Sequence, residues 1–281
     1  MKRADFTLVP YGGLGNRINA ICSAIVFCRK NNKSLQIIWF RDQGLNCPSE
    51  ELFTLSPKLK NVAIKEVTLS DYIMRDRPRK KNLWIPLVIQ SFLFDRRIYD
   101  KEATEVFSKK IKPDFGSLEN YKHIFMASYS KLWTSPDMWS YIIPNKDIVA
   151  KADNITSGFG NSTIGLHIRR SDNIIATNQS PTELFIEKME QEIELDKGVQ
   201  FYLASDSIDE KMKLKGLFGD KIITLENDAN RDTKEGIIDA FTEILILSCT
   251  KKIYGSAQSS FSELAHSLSG NEFEILKKEQ V

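Results

Sequence analysis

After Thr163 the chain repeats one order of segments: a short apolar run, a polar turn, then apolar side chains at helical spacing. Strands that alternate with helices at such intervals cannot pair through hairpins, so the pattern requires βαβ units and a parallel sheet. Thr163–Ile168, Gln200–Ala204, Lys221–Leu225, Lys252–Tyr254 and Glu272–Leu276 read as strands. Ser180-Pro-Thr-Glu183 and Ser207-Ile-Asp-Glu210 read as capping boxes. Pro181 suits a first helical turn, and Leu184, Phe185, Met189 and Ile193 recur at helical spacing to about Leu195. Gly219 reads as a stop, Asp232 and Glu235 open a helix running to about Cys249, and Ser260-Phe-Ser-Glu263 caps a helix closed by Gly270.

The N-terminal half begins in the same way. Phe6–Val9 is a strand, Gly12-Gly-Leu-Gly15 a turn, Asn16 to about Arg29 a helix, and Leu35–Phe40 and His123–Ala127 two further strands. Between Cys47 and Phe115 short helices and loops are expected. Pro144, Asn145, Lys146 and the Gly/Ser/Asn-rich stretch 157–162 suggest a boundary. The expected organisation is α/β, with two Rossmann-like domains over 1–150 and 151–281. A length of 281 residues suits one large domain or two modest ones.

Lys+Arg total 39 against 37 Asp+Glu, a net charge of +2, which argues against a dedicated nucleic-acid or membrane-surface binder. The longest apolar stretches, Leu83–Phe94 and Ile244–Cys249, fall short of the roughly 18–20 residues that span a bilayer. The first residues show no h-region, so no signal peptide is expected. Cys22, Cys28, Cys47 and Cys249 are irregularly spaced and read as free thiols of a cytoplasmic protein. The sequons at Asn154, Asn161 and Asn178 are then chance matches.

In a parallel sheet, ligands bind beyond the carboxyl ends of the strands. Four clusters fall there: Gly12-Gly-Leu-Gly-Asn-Arg17, His167-Ile-Arg-Arg-Ser-Asp-Asn173, Ser205-Asp-Ser207 and Gly255-Ser-Ala-Gln-Ser-Ser260. The first offers close backbone approach and a helix N-terminus for an anion; a plain tight turn is the bland alternative. It is neither Gly-x-Gly-x-x-Gly nor a Walker loop. The second carries two permanently charged arginines suited to a phosphate or diphosphate, or else to a structural salt bridge. Asp206 suits a hydroxylated group, while Ser207 reads as an N-cap. The Ser-rich cluster is a phosphate cradle or a well-capped helix. Arg75, Arg77, Arg79, Lys80 and Lys81 form a basic run that reads as a solvated loop or a contact for an anionic acceptor. Trp84, Phe92, Phe94, Trp133 and Trp139 read as core or as a sugar-stacking wall.

In order, Gly-Gly-Leu-Gly-Asn, His-Ile-Arg-Arg-Ser-Asp, Phe-Tyr-Leu-Ala-Ser-Asp and Leu-Ser-Cys with Ser-Ser-Phe-Ser resemble the GDP-fucose-dependent fucosyltransferases. That superfamily includes the bacterial α-1,2 enzymes, the α-1,6 enzymes and the protein O-fucosyltransferases. Residues 45–155 carry none of the likeness. The resemblance implies a GT-B-type glycosyltransferase with two Rossmann-like domains facing a cleft, the N-terminal one on the acceptor side. It implies inverting transfer of fucose from GDP-fucose to a glycan hydroxyl, in polysaccharide biosynthesis, with no metal and no cofactor. The partners implied are a GDP-sugar and a glycan acceptor, not nucleic acid. The location implied is the cytoplasm, with peripheral contact at the inner membrane allowed.

The resemblance also implies roles. Arg169 would neutralise the diphosphate, Arg170 would share that role or brace the loop, and His167 would sit by the nucleotide. Asp206 would lie along the donor, and Glu243 would touch the base or order the site. Ser259 and Ser260 would donate to phosphate, while Gly13, Gly15, Asn16 and Arg17 would approach from the other domain. Asp172 and Glu183 are the candidate bases, Asp172 being placed with the catalytic group. Here Arg17, Ser171, Ser207, Glu263 and Leu264 stand where relatives usually carry other residues. The alternatives are a transferase for another nucleotide sugar and a non-catalytic nucleotide-binding α/β protein. An NAD-dependent oxidoreductase fits the fold class but lacks its fingerprint.

Overall fold

The computed structural model describes residues 4–42, 44–100, 117–170, 174–226 and 230–278. The chain divides into two compact units, Met1–Ile143 and Pro144–Val281. The division precedes the expected 150/151 boundary because a helix at Lys146–Thr156 packs against the helix at Lys234–Ser248.

In the first half the strands are β1 (Phe6–Pro10), β2 (Leu35–Trp39), β3 (Phe53–Leu55), β4 (Val62–Glu66), β5 (Arg96–Tyr99), β6 (Ile124–Ser128) and β7 (Ile142–Pro144). The helices are α1 (Leu14–Lys30), α2 (Ser49–Leu52), α3 (Leu69–Met74) and α4 (Ile85–Leu93). A five-stranded parallel sheet runs β4–β2–β1–β6–β5, and β3 pairs with β7 separately. β1 and β6 are buried along their whole length, as central parallel strands are. One core cluster joins Val9, Ile38, Phe125 and Ala127 to Phe40 and Phe94.

The second unit contains α5 (Lys146–Thr156), β8 (Ile164–Ile168), α6 (Ile174–Gln179), α7 (Thr182–Leu195), β9 (Phe201–Ser205) and α8 (Ile208–Phe218). There follow β10 (Ile222–Ile223), α9 (Lys234–Ser248), β11 (Lys252–Ser256), α10 (Ser260–Ser269) and β12 (Glu272–Leu276). Its sheet is parallel throughout, in the order β10–β9–β8–β11–β12. The chain runs outward from β8 through β9 to β10, then returns to the other side of β8 with β11. The β8–β11 pair is therefore the topological switch point, where a crevice forms beyond the strand ends. Ile164, Leu166, Ile168, Phe201 and Leu203 pack with Phe185, Met189 and Leu214 beneath it.

Two expectations need correction. The stretch expected to hold only short helices and loops also supplies β4 and β5, the edge strands of the first sheet. β4 is half-exposed and β5 reads Arg-Arg-Ile-Tyr, so neither has the apolar run of a central strand. The expected capping box at Ser180 does not form. Pro181 occupies the N-cap of α7 with no side-chain cap bond. The Ser180 hydroxyl instead donates to Leu276 O at 2.5 Å and accepts from Ala257 N at 2.9 Å, tying β12 and the end of β11 to this turn.

Candidate functional site

The second unit gathers its polar clusters at the switch point, and hydrogen bonds between strand ends hold them there. Ser256 Oγ, at the end of β11, accepts from Arg169 N at 3.0 Å and donates to His167 O at 3.2 Å. Ser205 Oγ donates to Ile168 O at 2.7 Å and accepts from Ser207 N. Asp206 receives the turn that follows β8: Oδ1 accepts from Arg170 N at 2.7 Å, and Oδ2 lies 3.4 Å from Arg169 Nε. Asp206 thus fixes the backbone of the arginine turn and the direction of one guanidinium.

The two adjacent arginines do different work. The Arg170 guanidinium donates to Arg169 O at 2.7 Å, Ser180 O at 3.1 Å, Thr182 Oγ1 at 2.9 Å and Glu210 Oε1 at 3.3 Å. Thr182 also donates to Glu210. Arg170 is therefore a brace that locks the loop to α7 and α8. Arg169 faces Asp206 with 14% of its side chain exposed. Ser171, Asp172 and Asn173 lie outside the described residues.

His167 is buried at the base of the site and stacks on Phe261, with ring centroids 4.6 Å apart and planes 16° apart. Burial, and next the charge of Arg169, lower its pKa to about 3, so the imidazole is neutral at pH 7. Ser259 Oγ lies 3.4 Å from His167 Nδ1 and is buried. Ser259 is the N-cap residue of α10 but makes no side-chain cap bond, and Ser260 is the first helical residue. The first-turn N–H groups of α10 thus carry no side-chain cap, the arrangement that accepts an anion. Gln258 has φ 53°, a left-handed bend that turns the chain into α10. The close seat of that helix depends on Gly255: a Cβ there would lie 2.6 Å from Ser262 Oγ and 2.8 Å from the Phe273 ring.

Glu243 on α9 is buried and pairs with Lys211 of α8 at 2.9 Å; Lys211 also donates to Leu225 O at 2.8 Å. Burial pushes the Glu243 carboxyl up to about 7. The pair links α8, α9 and the residues after β10. Glu183 is exposed on α7, 3.7 Å from Lys213.

In the first unit the glycine turn sits at the end of β1, beside its own switch point between β1 and β6. Gly12 has φ 85°, and a Cβ there would lie 3.0 Å from Asn16 Nδ2. Gly13 is the N-cap of α1, without a side-chain cap bond, and Gly15 and half-buried Asn16 lie in the first turn. Arg17 is fully buried. Its guanidinium donates to Gly12 O at 2.9 Å, to Phe40 O and to Asp42 Oδ1 at 2.8 Å, and lies 4.9 Å from the Trp39 ring centroid. Burial lowers its pKa to about 10, leaving it charged at neutral pH. Arg17 thus pins the turn to the end of β2, with its charge directed inward.

No group of three or more His, Cys, Asp or Glu side chains able to hold a metal occurs among the described residues. No protein-family model matches the chain, and no curated protein sequence does. Solved structures do match. The fucosyltransferase NodZ from Bradyrhizobium aligns with a TM-score of 0.62 at 17% identity, over 95% of this chain and 93% of that one. NodZ α-1,6-fucosyltransferase soaked with GDP-fucose aligns at 0.61 and 18% identity, over 95% of this chain and 93% of that one. POFUT1 in complex with GDP-fucose aligns at 0.57 and 13% identity, over 96% and 97% of the two chains. The chain has the GT-B-type fold of these fucosyltransferases. The expectation of an α/β, GT-B-type fold is met.

Several residues that build the site are not among those the sequence offers for these contacts. Arg231, just ahead of α9, is close enough for its charge to act on His167. Ser180, Thr182 and Glu210 hold Arg170, and Lys211 holds Glu243. In the first unit, the Arg77 guanidinium lies 4.3 Å from the centroid of Tyr11, the residue after β1. Partner-seeking polar residues one helix away from a cluster have no spacing rule that could flag them.

Proposed function

We propose that the protein transfers fucose from GDP-fucose to a hydroxyl of a glycan acceptor. The carrying observation is the arrangement at the β8–β11 switch point. Arg169 and the uncapped start of α10 both neighbour a neutral, stacked His167 there, in a fold whose solved examples include GDP-fucose complexes.

The C-O bond to fucose breaks through an oxocarbenium-like state, and negative charge grows on the departing β-phosphate oxygen. Arg169 and the α10 N–H groups stabilise that charge more than the ground state, because they are fixed before the reaction starts. Ser259 and Ser260 add donors at the same helix start. Arg170 acts as a positioning residue. Neutral His167 supplies a hydrogen-bonding wall without competing for the phosphate. The Glu243–Lys211 pair orders the nucleoside side. Within the N-terminal unit, Arg17 keeps the turn of Gly13, Gly15 and Asn16 in shape. The acceptor attacks the face opposite GDP, which inverts the anomeric centre. Asp172, three residues beyond Arg169 in the chain, is proposed as the base that takes the acceptor proton. Arg169 and the dipole of α10 neutralise the diphosphate without a metal.

The test is thermal shift of the purified protein with GDP, GDP-fucose, GDP-mannose and UDP, with and without EDTA, followed by product analysis. A ligand at about 100 times its Kd stabilises the native state by about 2.7 kcal/mol, a shift of several degrees. Guanine-selective shifts that persist in EDTA, and fucosylated product lost in Asp172→Asn, are expected. No response to any guanine nucleotide would refute the donor assignment.

A further inference from the structure

The hairpin of α3 and α4 in the first unit carries an apolar surface that the transfer reading does not use. On α4, Pro86 and Gln90 turn inward, while Ile85, Val88 and Phe92 face solvent, Phe92 being 85% exposed. These three are spaced three and four residues apart and so share one helix face. On α3, Leu69, Tyr72 and Ile73 do the same, with Leu69 88% exposed. Leu83, 77% exposed, leads into α4. Among the described residues, seven of the fifteen exposed large hydrophobics thus fall within residues 69–92. Singly scattered apolar residues are normal on a surface, but a concentration of them on two helices that pack together points to an interaction site.

The hairpin is held from behind. α3 packs against α4. Gln90 donates to Met74 O at 3.1 Å and Asp76 O at 2.9 Å, and accepts from Tyr99 OH at 2.8 Å. Its two carboxylates, Asp71 and Asp76, are buried and pair with Arg75 and Arg79. Lys80 and Lys81 stand exposed just before α4. Residues 69–93 carry five Lys/Arg against these two Asp, a net +3, so the rest of the chain is −1. The near-neutral total, which argued against a membrane-surface binder, conceals one basic and apolar patch.

We propose that this hairpin docks the protein on an anionic lipid bilayer. An apolar helical face enters the headgroup boundary while flanking cations meet acidic headgroups, and the two contributions reinforce each other. The charge complementarity selects a bilayer over a neutral protein groove. No helix among the described residues is long and apolar enough to cross a membrane, so the contact is with the surface. This inference does not depend on the sugar-transfer reading.

The test is co-sedimentation of the full chain with vesicles of phosphatidylcholine alone, and with phosphatidylglycerol added to about a third of the lipid, at low and high salt. Binding to the anionic vesicles that weakens with salt is expected. At about fivefold per unit charge, Lys80→Ala/Lys81→Ala should lower partitioning by at least tenfold. Val88→Ser/Phe92→Ser should abolish it, with circular dichroism unchanged because both side chains are already in solvent. Three results would overturn the proposal: no binding to acidic vesicles, binding insensitive to these variants, or a concentration-dependent dimer that Phe92→Ser dissolves without any vesicle binding. The last would assign the face to a second copy.

Discussion

Arg169 and Arg170 are neighbours in sequence with opposite expected phenotypes, which makes their exchange for alanine the sharpest test of the site. Arg170→Ala removes four donated hydrogen bonds, to Arg169 O, Ser180 O, Thr182 and Glu210. It leaves the Glu210 side chain, only 10% exposed, without its cation. Breaking such a pair from one side costs about 3 kcal/mol, the low end of the range for fully buried pairs. At about 2–4 °C per kcal/mol, Tm falls by roughly 6–12 °C. Arg169→Ala removes the contact with Asp206 at 3.4 Å, and Asp206 keeps its bond from Arg170 N at 2.7 Å. The stability cost is then about 1 kcal/mol. Its effect falls on the ligand: two charge-assisted bonds to a diphosphate contribute about 3 kcal/mol, or about 10²-fold in GDP affinity. Paired measurements of Tm by calorimetry and GDP Kd by titration separate the two. If Arg169→Ala lowers Tm as much as Arg170→Ala while GDP still binds normally, the division of labour between brace and ligand is wrong.

Two further outcomes follow from buried charge. His167 has an ordinary pKa of about 6.5 unfolded and about 3 folded, so the unfolded chain binds the extra proton between those values, and stability falls as pH drops below about 6.5. The loss reaches about 3 kcal/mol by pH 4, and urea unfolding of wild type against His167→Gln across that range should show the variant losing less. Arg17→Met removes the guanidinium from Gly12 O, Phe40 O and Asp42, leaving Asp42 without its cation, so it should cost about 3–5 kcal/mol, and Arg17→Lys should not restore it, because an ammonium lacks the planar fork. A stable Arg17→Met protein that only loses nucleotide would show that Arg17 touches the donor.

Much of the fold could be read from the chain because the central strands are apolar on both faces. Phe6–Pro10, Ile124–Ser128, Ile164–Ile168 and Phe201–Ser205 are buried from end to end, so their runs stand out without any alternation to decode. The edge strands of the first sheet escape notice for the converse reason. Val62–Glu66 and Arg96–Tyr99 have one flank toward solvent, and their charged residues mask the period. Helix α5 reads as part of a boundary in the sequence because Asn145 and the Gly/Ser stretch after it resemble a linker. In fact Asn145 is its N-cap, accepting from Asp147 N at 3.1 Å.

The polar clusters at the strand ends are legible in the sequence, but what each side chain bonds to is not, and the reason is physical. A polar side chain at a strand end either meets a ligand or meets the chain, and both uses select the same residue types. Ser207 looks like a cap and is one, accepting from Glu210 N at 3.3 Å. Ser180 looks equally like a cap, yet its hydroxyl bridges Leu276 and Ala257. Arg17, Asp206 and Ser256 read as ligand-facing and Arg170 as either ligand or brace, and all four hold backbone in place. What distinguishes them is the number of protein partners each has found, a property of residues far away in sequence. Such a surplus of holding groups has its own meaning for catalysis. Donors stabilise a developing charge most when they need not reorganise as it forms. A loop whose arginine, aspartate and serines are already bonded to the scaffold fixes Arg169 and the α10 N–H groups in advance.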